Sequence, residues 1–259
     1  MRPVLIQLGN FKIYSYGFFV ALGIIAATLY LMSRVKRKGG SPETVIDLVL
    51  VTVISGVIGA RLAYILLYDP RYYLEHPGRI FMLQEGGLAF YGAFILGLLA
   101  AVIFLRKAKI PVLGFLDLVA PALALGYAVA RIGCFLNGCC YGRPTELPWG
   151  VVFPVVDALR RHPTQLYSVL AGLLIFAFLE WKTRKGIRFQ GQIFSFFLIL
   201  YGLLRAGIEL LRENAQITGG PVTASLAALA LAAAGAVFYF VLKRLPREGC
   251  AARRGRQLE

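Results

Sequence analysis

The chain has 259 residues, of which 58% are hydrophobic and 16% charged, and its mean hydropathy is +0.70. A soluble domain carries roughly 25% charged residues, so this composition excludes a water-soluble globular fold and describes a polytopic membrane protein. The formal net charge is +15, but the basic residues gather in short stretches between apolar runs, which marks them for anionic lipid and leaves no nucleic acid partner expected.

Seven apolar runs fall at about 15–33, 45–68, 88–105, 115–135, 165–181, 191–212 and 221–242, each near the ~20 residues a helix needs to cross ~30 Å of hydrocarbon. The first follows a short, weakly charged start without a small-residue cleavage site, so it reads as a retained anchor. The basic clusters are Arg34, Lys36, Arg37 and Lys38; Arg106, Lys107 and Lys109; Lys182, Arg184, Lys185 and Arg188; and Lys243, Arg244 and Arg247, with Arg253, Arg254 and Arg256 beyond. Placing all of them in the cytoplasm puts the N-terminus and the loops 69–87, 136–164 and 213–220 outside, and the C-terminus inside. The expected fold class is therefore an all-α polytopic membrane protein of about seven transmembrane helices. It forms one transmembrane domain over 1–243, with an extracytoplasmic insertion at about 136–164 and a basic cytoplasmic tail over 244–259. Pro144, Pro148, Trp149, Pro154 and Pro163 in the insertion punctuate helices and suit the interface, so a compact element, irregular or with short strands, is expected there. No internal repeat is visible, which weighs against an inverted-repeat transporter, and the Ala-rich last span reads as packing.

Polar residues within the spans are the candidates for function. In Gly59 to Tyr68, Arg61, Tyr64 and Tyr68 share one helical face; Arg61 either snorkels to headgroups or belongs to a site. Tyr91 lies among Gly86, Gly87, Gly92 and Gly97 at the start of the third span, where interfacial tyrosines serve as belt residues and the small neighbours suit a crowded pocket. Arg131 ends a stretch that otherwise reads as buried in the membrane, and an arginine there needs a partner or a task. It is followed by Gly133, Asn137, Gly138, Gly142 and Arg143, where glycines allow close backbone approach and guanidinium matches phosphate bidentately. Tyr201, Arg205, Glu209 and Arg212 form a stripe at spacings of four, four and three. Arg205 and Glu209 either lock helices together as an ion pair or, with Arg212, leave one positive charge over for an anion.

Cys134, Cys139 and Cys140 lie at the outer end of a span, and Cys250 lies in the tail. Their C-x4-C-C spacing is not a standard zinc pattern, with His76 and His162 the only imidazoles. Small packing residues or an incidental disulfide are expected before a metal or redox site, and no metal and no cofactor are expected.

The run from Arg131 to Arg143 resembles the signature of the prolipoprotein diacylglyceryl transferase family, G-R-x-G-N-F-x-N-G followed a few residues on by G-R. Further resemblance lies in Tyr16-Gly17, Gly59 to Tyr68, Gly86-Gly87 to Gly92, Asp117 with Ala120-Pro121, Arg161 to Tyr167, and Tyr201 to Glu213. The resemblance implies a transferase that moves the diacylglyceryl group of phosphatidylglycerol onto the lipobox cysteine thiol of prolipoproteins. The products are a thioether and glycerol 1-phosphate, the first step of bacterial lipoprotein maturation. It also implies a multi-pass protein of the bacterial inner (cytoplasmic) membrane whose partners are the donor lipid and the prolipoprotein signal peptide, and a monomer is expected.

Arg131, Arg205 and Tyr91 are then the expected catalytic residues. Arg131, Arg61, Tyr16, Asn137, Gly142, Tyr201, Glu209 and Arg212 are the expected substrate-binding residues. Three departures from the family pattern bear on the chemistry. Tyr91 stands where relatives carry histidine, and its reference pKa of ~10 suits orientation more than proton removal. Cys134 stands where the signature has asparagine, and Ser168 where many relatives have glutamate after Q-L-Y. The alternative reading is an outer-leaflet lipid or anion transporter, and a third class is a membrane redox or metal protein built on the cysteines.

Overall fold

A computed structural model of the chain describes residues 1–8, 11–68, 70–82, 86–213 and 220–245. In chain order the elements are strands β1 (Val4–Leu8) and β2 (Phe11–Tyr14), helices α1 (Ser15–Arg37), α2 (Pro42–Tyr68) and α3 (Pro70–Glu75), and a 3-10 turn at Pro77–Phe81. Helices α4 (Phe90–Lys107) and α5 (Val112–Asn137), strands β3 (Val151–Val152) and β4 (Arg160–Arg161), and helices α6 (Thr164–Arg184), α7 (Gln192–Leu211) and α8 (Gly220–Arg244) follow. All helices but α3 are long and apolar enough to cross a membrane, which makes seven candidate spans among the described residues. Each covers one of the apolar runs. Several continue past the hydrocarbon-length core into the basic clusters, because Lys and Arg are good helix formers and suit the negative end of a helix: Arg34, Lys36 and Arg37 close α1, Arg106 and Lys107 close α4, Lys182 and Arg184 close α6, and Lys243 and Arg244 close α8. Cys250 and the tail beyond residue 245 lie outside the described residues.

The chain divides into two compact units, residues 31–115 and residues 1–30 with 116–259. Within the first, α2 and α4 pack through Gly59 and Gly92, where a Cβ on either glycine would collide with the other's carbonyl oxygen. Lipid tails are as apolar as leucine, so helices in a bilayer associate through such close backbone contacts rather than by expelling water. The loop after α2 is not plain coil: it holds α3 and the 3-10 turn, both without buried residues.

In the second unit, β1 and β2 form an antiparallel hairpin before α1, and α7 lies against α8 so closely that a Cβ on Gly202 would stand 2.6 Å from the Ala228 carbonyl oxygen. The alanines of the last span are there to permit this approach. Ala120 and Ala124 of α5, Ile175 and Leu179 of α6 and Ile193 of α7 make one buried cluster, surrounded by Phe176, Phe178, Phe194, Phe197 and Tyr201.

The start of α7 is held from another helix. Asp117 of α5 is buried; its Oδ2 accepts from the Gly191 amide at 2.8 Å, and its Oδ1 accepts from the amides of Ile193 at 2.8 Å and Phe194 at 3.0 Å. A carboxylate facing the first amides of a helix satisfies donors that have no partner within the helix and complements the positive end of its dipole. Asp117→Ala strands those amides in a buried place, at a cost of about 1–3 kcal/mol. The expected result is a lowered thermal midpoint of the detergent-solubilised protein, followed by intrinsic fluorescence; an unchanged midpoint contradicts the capping role.

Candidate active site

The end of α5, the start of α6 and the end of α7 are tied into one frame by the segment between α5 and α6. The Gly142 amide donates to the His162 carbonyl at 2.9 Å and the Arg143 amide to the Leu211 carbonyl at 2.8 Å, and Gly142 pairs with Arg212 as an antiparallel bridge. Thr164 Oγ1 and Gln165 Nε2, on the first turn of α6, donate to the carbonyls of Cys140 and Cys139 at 2.6 and 2.7 Å. Gly142 is required by close approach: a Cβ there would meet the Leu211 carbonyl oxygen at 2.7 Å.

On this frame stand the arginines. The Arg131 guanidinium lies over the Tyr127 ring, 4.9 Å from its centroid, with Nη1 3.9 Å from Cys134 Sγ. Tyr127 meets Tyr201 edge to face at 5.2 Å, so Arg131 of α5 and Tyr201 of α7 share one aromatic wall. One turn beyond Tyr201, Arg205 is ion-paired with Glu209. Glu209 is 2% exposed and also accepts from Arg212 Nη1 at 2.6 Å. A single carboxylate thus serves two guanidiniums, which leaves one positive charge, and among the described residues none of the ion pairs includes Arg131. Aromatic and helical surroundings of low dielectric strengthen the attraction of such uncompensated charge for an anion.

The remaining expected residues are distributed as follows. Tyr16 is exposed on the first turn of α1, and Asn137, partly buried, closes α5. Tyr91 is 66% exposed on the first turn of α4. Arg61, 5% exposed, was expected to reach headgroups or substrate, yet its guanidinium is taken up by backbone. Nε donates to the Ile80 carbonyl at 2.9 Å, Nη1 to those of Gly86 and Gly87 at 2.7 and 3.1 Å, and Nη2 to that of Arg79 at 2.5 Å. Tyr73 lies against the same group, 5.1 Å from ring centroid to guanidinium carbon. With every nitrogen engaged, the side chain holds the backbone at residues 79–80 to that at residues 86–87. Gly87, at φ +74, leaves room for it, since a Cβ there would stand 2.5 Å from Arg61 Nη1.

Arg161 is a buried charged residue that spacing did not mark. It is 5% exposed and binds Asp157 through Nη2 at 2.5 Å and Nε at 3.2 Å. It also pairs with Glu213, donates to the Gly142 carbonyl at 3.3 Å and lies over the Tyr141 ring. It thereby joins the short β3–β4 ladder to the Gly142–Arg212 bridge. The sequence signal was an arginine beside the helix start Pro163-Thr164, a place where charge is rarely buried without partners.

The Arg161 guanidinium holds the Asp157 carboxyl below its ordinary range. A lowered folded-state value contributes stability above the ordinary carboxylate pKa that is lost as pH falls through the lowered one. Fluorescence of Trp149, in a Trp181→Phe background, is therefore expected to stay constant from neutral pH into mild acid and to change only below the ordinary aspartate value of ~3.9. In Asp157→Asn the changed signal is expected already at neutral pH; superimposable curves contradict the anchoring role.

Cys134, Cys139 and Cys140 are free thiols whose sulfurs all lie within 4.8 Å of one another. The backbone folds back at Gly138, φ +73, and at Cys140, φ +64, which brings together residues that the C-x4-C-C spacing alone leaves apart.

Comparison with known proteins gives a consistent result. A sequence model of the family described as prolipoprotein diacylglyceryl transferase matches residues 3–241. The chain is 40% identical over 218 residues to the phosphatidylglycerol–prolipoprotein diacylglyceryl transferase of Clostridium tetani, covering 83% of this chain and 86% of that one. It is 39% identical over 224 residues to the enzyme of the same name from Bordetella avium, with 84% of each covered. Identity is also 39% over 221 residues to that of Geobacter sulfurreducens, with 83% and 84% covered. A multi-pass helical membrane protein with a match over nearly its whole length, the chain belongs to the prolipoprotein diacylglyceryl transferase family.

Proposed function

We propose that this protein transfers the diacylglyceryl group of phosphatidylglycerol to the lipobox cysteine of prolipoproteins. The thiol sulfur forms a bond to the glycerol carbon, the bond from that carbon to the phosphate oxygen breaks, and the electron pair leaves on glycerol 1-phosphate. The carrying observation is the charge of the frame: Arg131, in no ion pair among the described residues, beside an Arg205–Glu209–Arg212 group with one positive charge over. Charge placed where negative charge grows on a leaving phosphate lowers the barrier, because the interaction strengthens in the transition state.

In this reading Arg131 and Arg205 hold the donor phosphate, Glu209 and Arg212 keep Arg205 in place, and Tyr201 and Tyr16 line the approach. Gly142 and Asn137 shape the loop beside them. Arg61 acts through the backbone at residues 79–80 and 86–87, as a positioning residue. Tyr91, exposed on the first turn of α4, orients the incoming chain. With the basic helix ends toward the cytoplasm, the N-terminus and the arginine frame lie at the outer side of the inner membrane and the C-terminus within. The chain acts as a monomer on the donor lipid and the prolipoprotein signal peptide and binds no nucleic acid. A transporter reading finds no support in the family match.

The test uses purified full-length protein in vesicles containing phosphatidylglycerol, with a lipobox peptide. A mass increase on the peptide cysteine equal to one diacylglyceryl group, with an equal amount of glycerol phosphate released, is expected. An unmodified peptide in the presence of folded protein overturns the proposal.

A further inference from the structure

We propose that Cys134, Cys139 and Cys140 form a three-thiolate site for a thiophilic divalent ion of the zinc class, whose fourth position receives the thiol to be alkylated. The second half of this inference rests on the transfer reaction proposed above.

The geometry carries the ion. Zinc holds thiolates at ~2.3 Å in a tetrahedron, which sets sulfurs on one ion roughly 3.8 Å apart, and three sulfurs already within 4.8 Å of one another need only small rotations to meet it. A disulfide asks for two sulfurs at ~2.05 Å and leaves the third aside. The backbone that presents the sulfurs is fixed independently of them. Cys139 donates its amide to the Cys134 carbonyl at 3.2 Å, and Gln165 and Thr164 hold the carbonyls of Cys139 and Cys140. Cys140 is a non-glycine residue at φ +64, a conformation that costs energy and persists where the surroundings impose it, often at functional sites. Gln165 is 1% exposed, and its Oε1 is buried without a partner among the described residues, an acceptor beside the same loop.

The site also lies beside the phosphate grip: the Arg131 guanidinium stands 3.9 Å from Cys134 Sγ, so a bound ion lies within about 6 Å of it, one Zn–S bond beyond that contact. Three protein ligands leave a tetrahedral ion one open position, the arrangement of a reactive rather than a closed site. A substrate thiol entering that position gives up its proton to water. The resulting metal-bound sulfur donates an electron pair to the glycerol carbon as the carbon to oxygen bond opens toward the phosphate beside Arg131. The bound ion thereby activates the substrate sulfur.

The test is metal content of the full-length protein purified without chelator, followed by cobalt(II) titration. One zinc ion per chain, and a near-ultraviolet sulfur-to-cobalt band on titration, are expected. Both should be lost in Cys134→Ser/Cys139→Ser/Cys140→Ser, and weakened in Cys139→Ser alone should the triple variant fail to fold. Chelation is expected to slow peptide modification roughly 100-fold, the scale of a lost activating group, with recovery on adding zinc. Absence of ion and cobalt band in the wild type, a disulfide among the three residues, or undiminished transfer after the ion is removed overturns the inference. In each of those cases wild-type transfer still stands, whereas failure of wild-type protein to modify the peptide at all counts against the reaction itself.

Discussion

Arg131→Ala is expected to slow peptide modification about 100- to 1,000-fold, the usual effect of removing a positioned group that stabilises developing negative charge. Stability should change little, because Arg131 is held by a ring face and a thiol contact and is not the sole partner of a buried carboxylate. Arg131→Lys keeps the charge but loses the planar fork that matches phosphate oxygens and stacks on Tyr127, so it should recover only part of the rate. Initial rates of cysteine modification, with thermal midpoints measured on the same preparations, check both statements. A rate near wild type for a well-folded Arg131→Ala protein contradicts the assignment.

Glu209→Ala has the opposite signature. Its carboxylate is the shared partner of Arg205 and Arg212, and deleting one side of a buried ion pair costs about 3–5 kcal/mol because the charges left behind remain out of water. Against a total stability of about 5–15 kcal/mol that is a large fraction. Lowered yield of folded protein and a strongly lowered thermal midpoint are expected. Arg205→Ala leaves Glu209 its bond to Arg212, so it should lose much less stability and more activity. A Glu209→Ala protein as stable as wild type contradicts the view that this carboxylate holds the frame together. The split between the two variants distinguishes a residue that holds the site from one that acts in it.

The spans were legible because hydrocarbon imposes a length and a composition at once, and α1, α2, α4, α5, α6, α7 and α8 each fall on an apolar run. The Tyr201 to Arg212 stripe was legible because helical spacing alone puts Arg205, Glu209 and Arg212 on one face. What sequence concealed was contact across distance. Arg61 lies on a readable face, yet its acceptors are carbonyls 18 to 26 residues away, and no side-chain pattern marks a carbonyl. Asp117 reaches amides 74 to 77 residues away. The closeness of Cys134 to Cys139 and Cys140 depends on two left-handed residues, of which Gly138 is an ordinary candidate and Cys140 is not. The β1–β2 hairpin had a readable signal, alternating apolar residues around Gly9-Asn10, which the strength of the following apolar run overshadowed.

The central claim is that Arg131 and Arg205 together grip the donor phosphate. It is tested most directly by the Arg131→Ala/Arg205→Ala double variant, with thermal midpoint as a control, in phosphatidylglycerol vesicles with saturating lipobox peptide. The account predicts a folded protein that leaves the peptide cysteine unmodified and releases no glycerol phosphate. Thioether formation near the wild-type rate by that variant would contradict it.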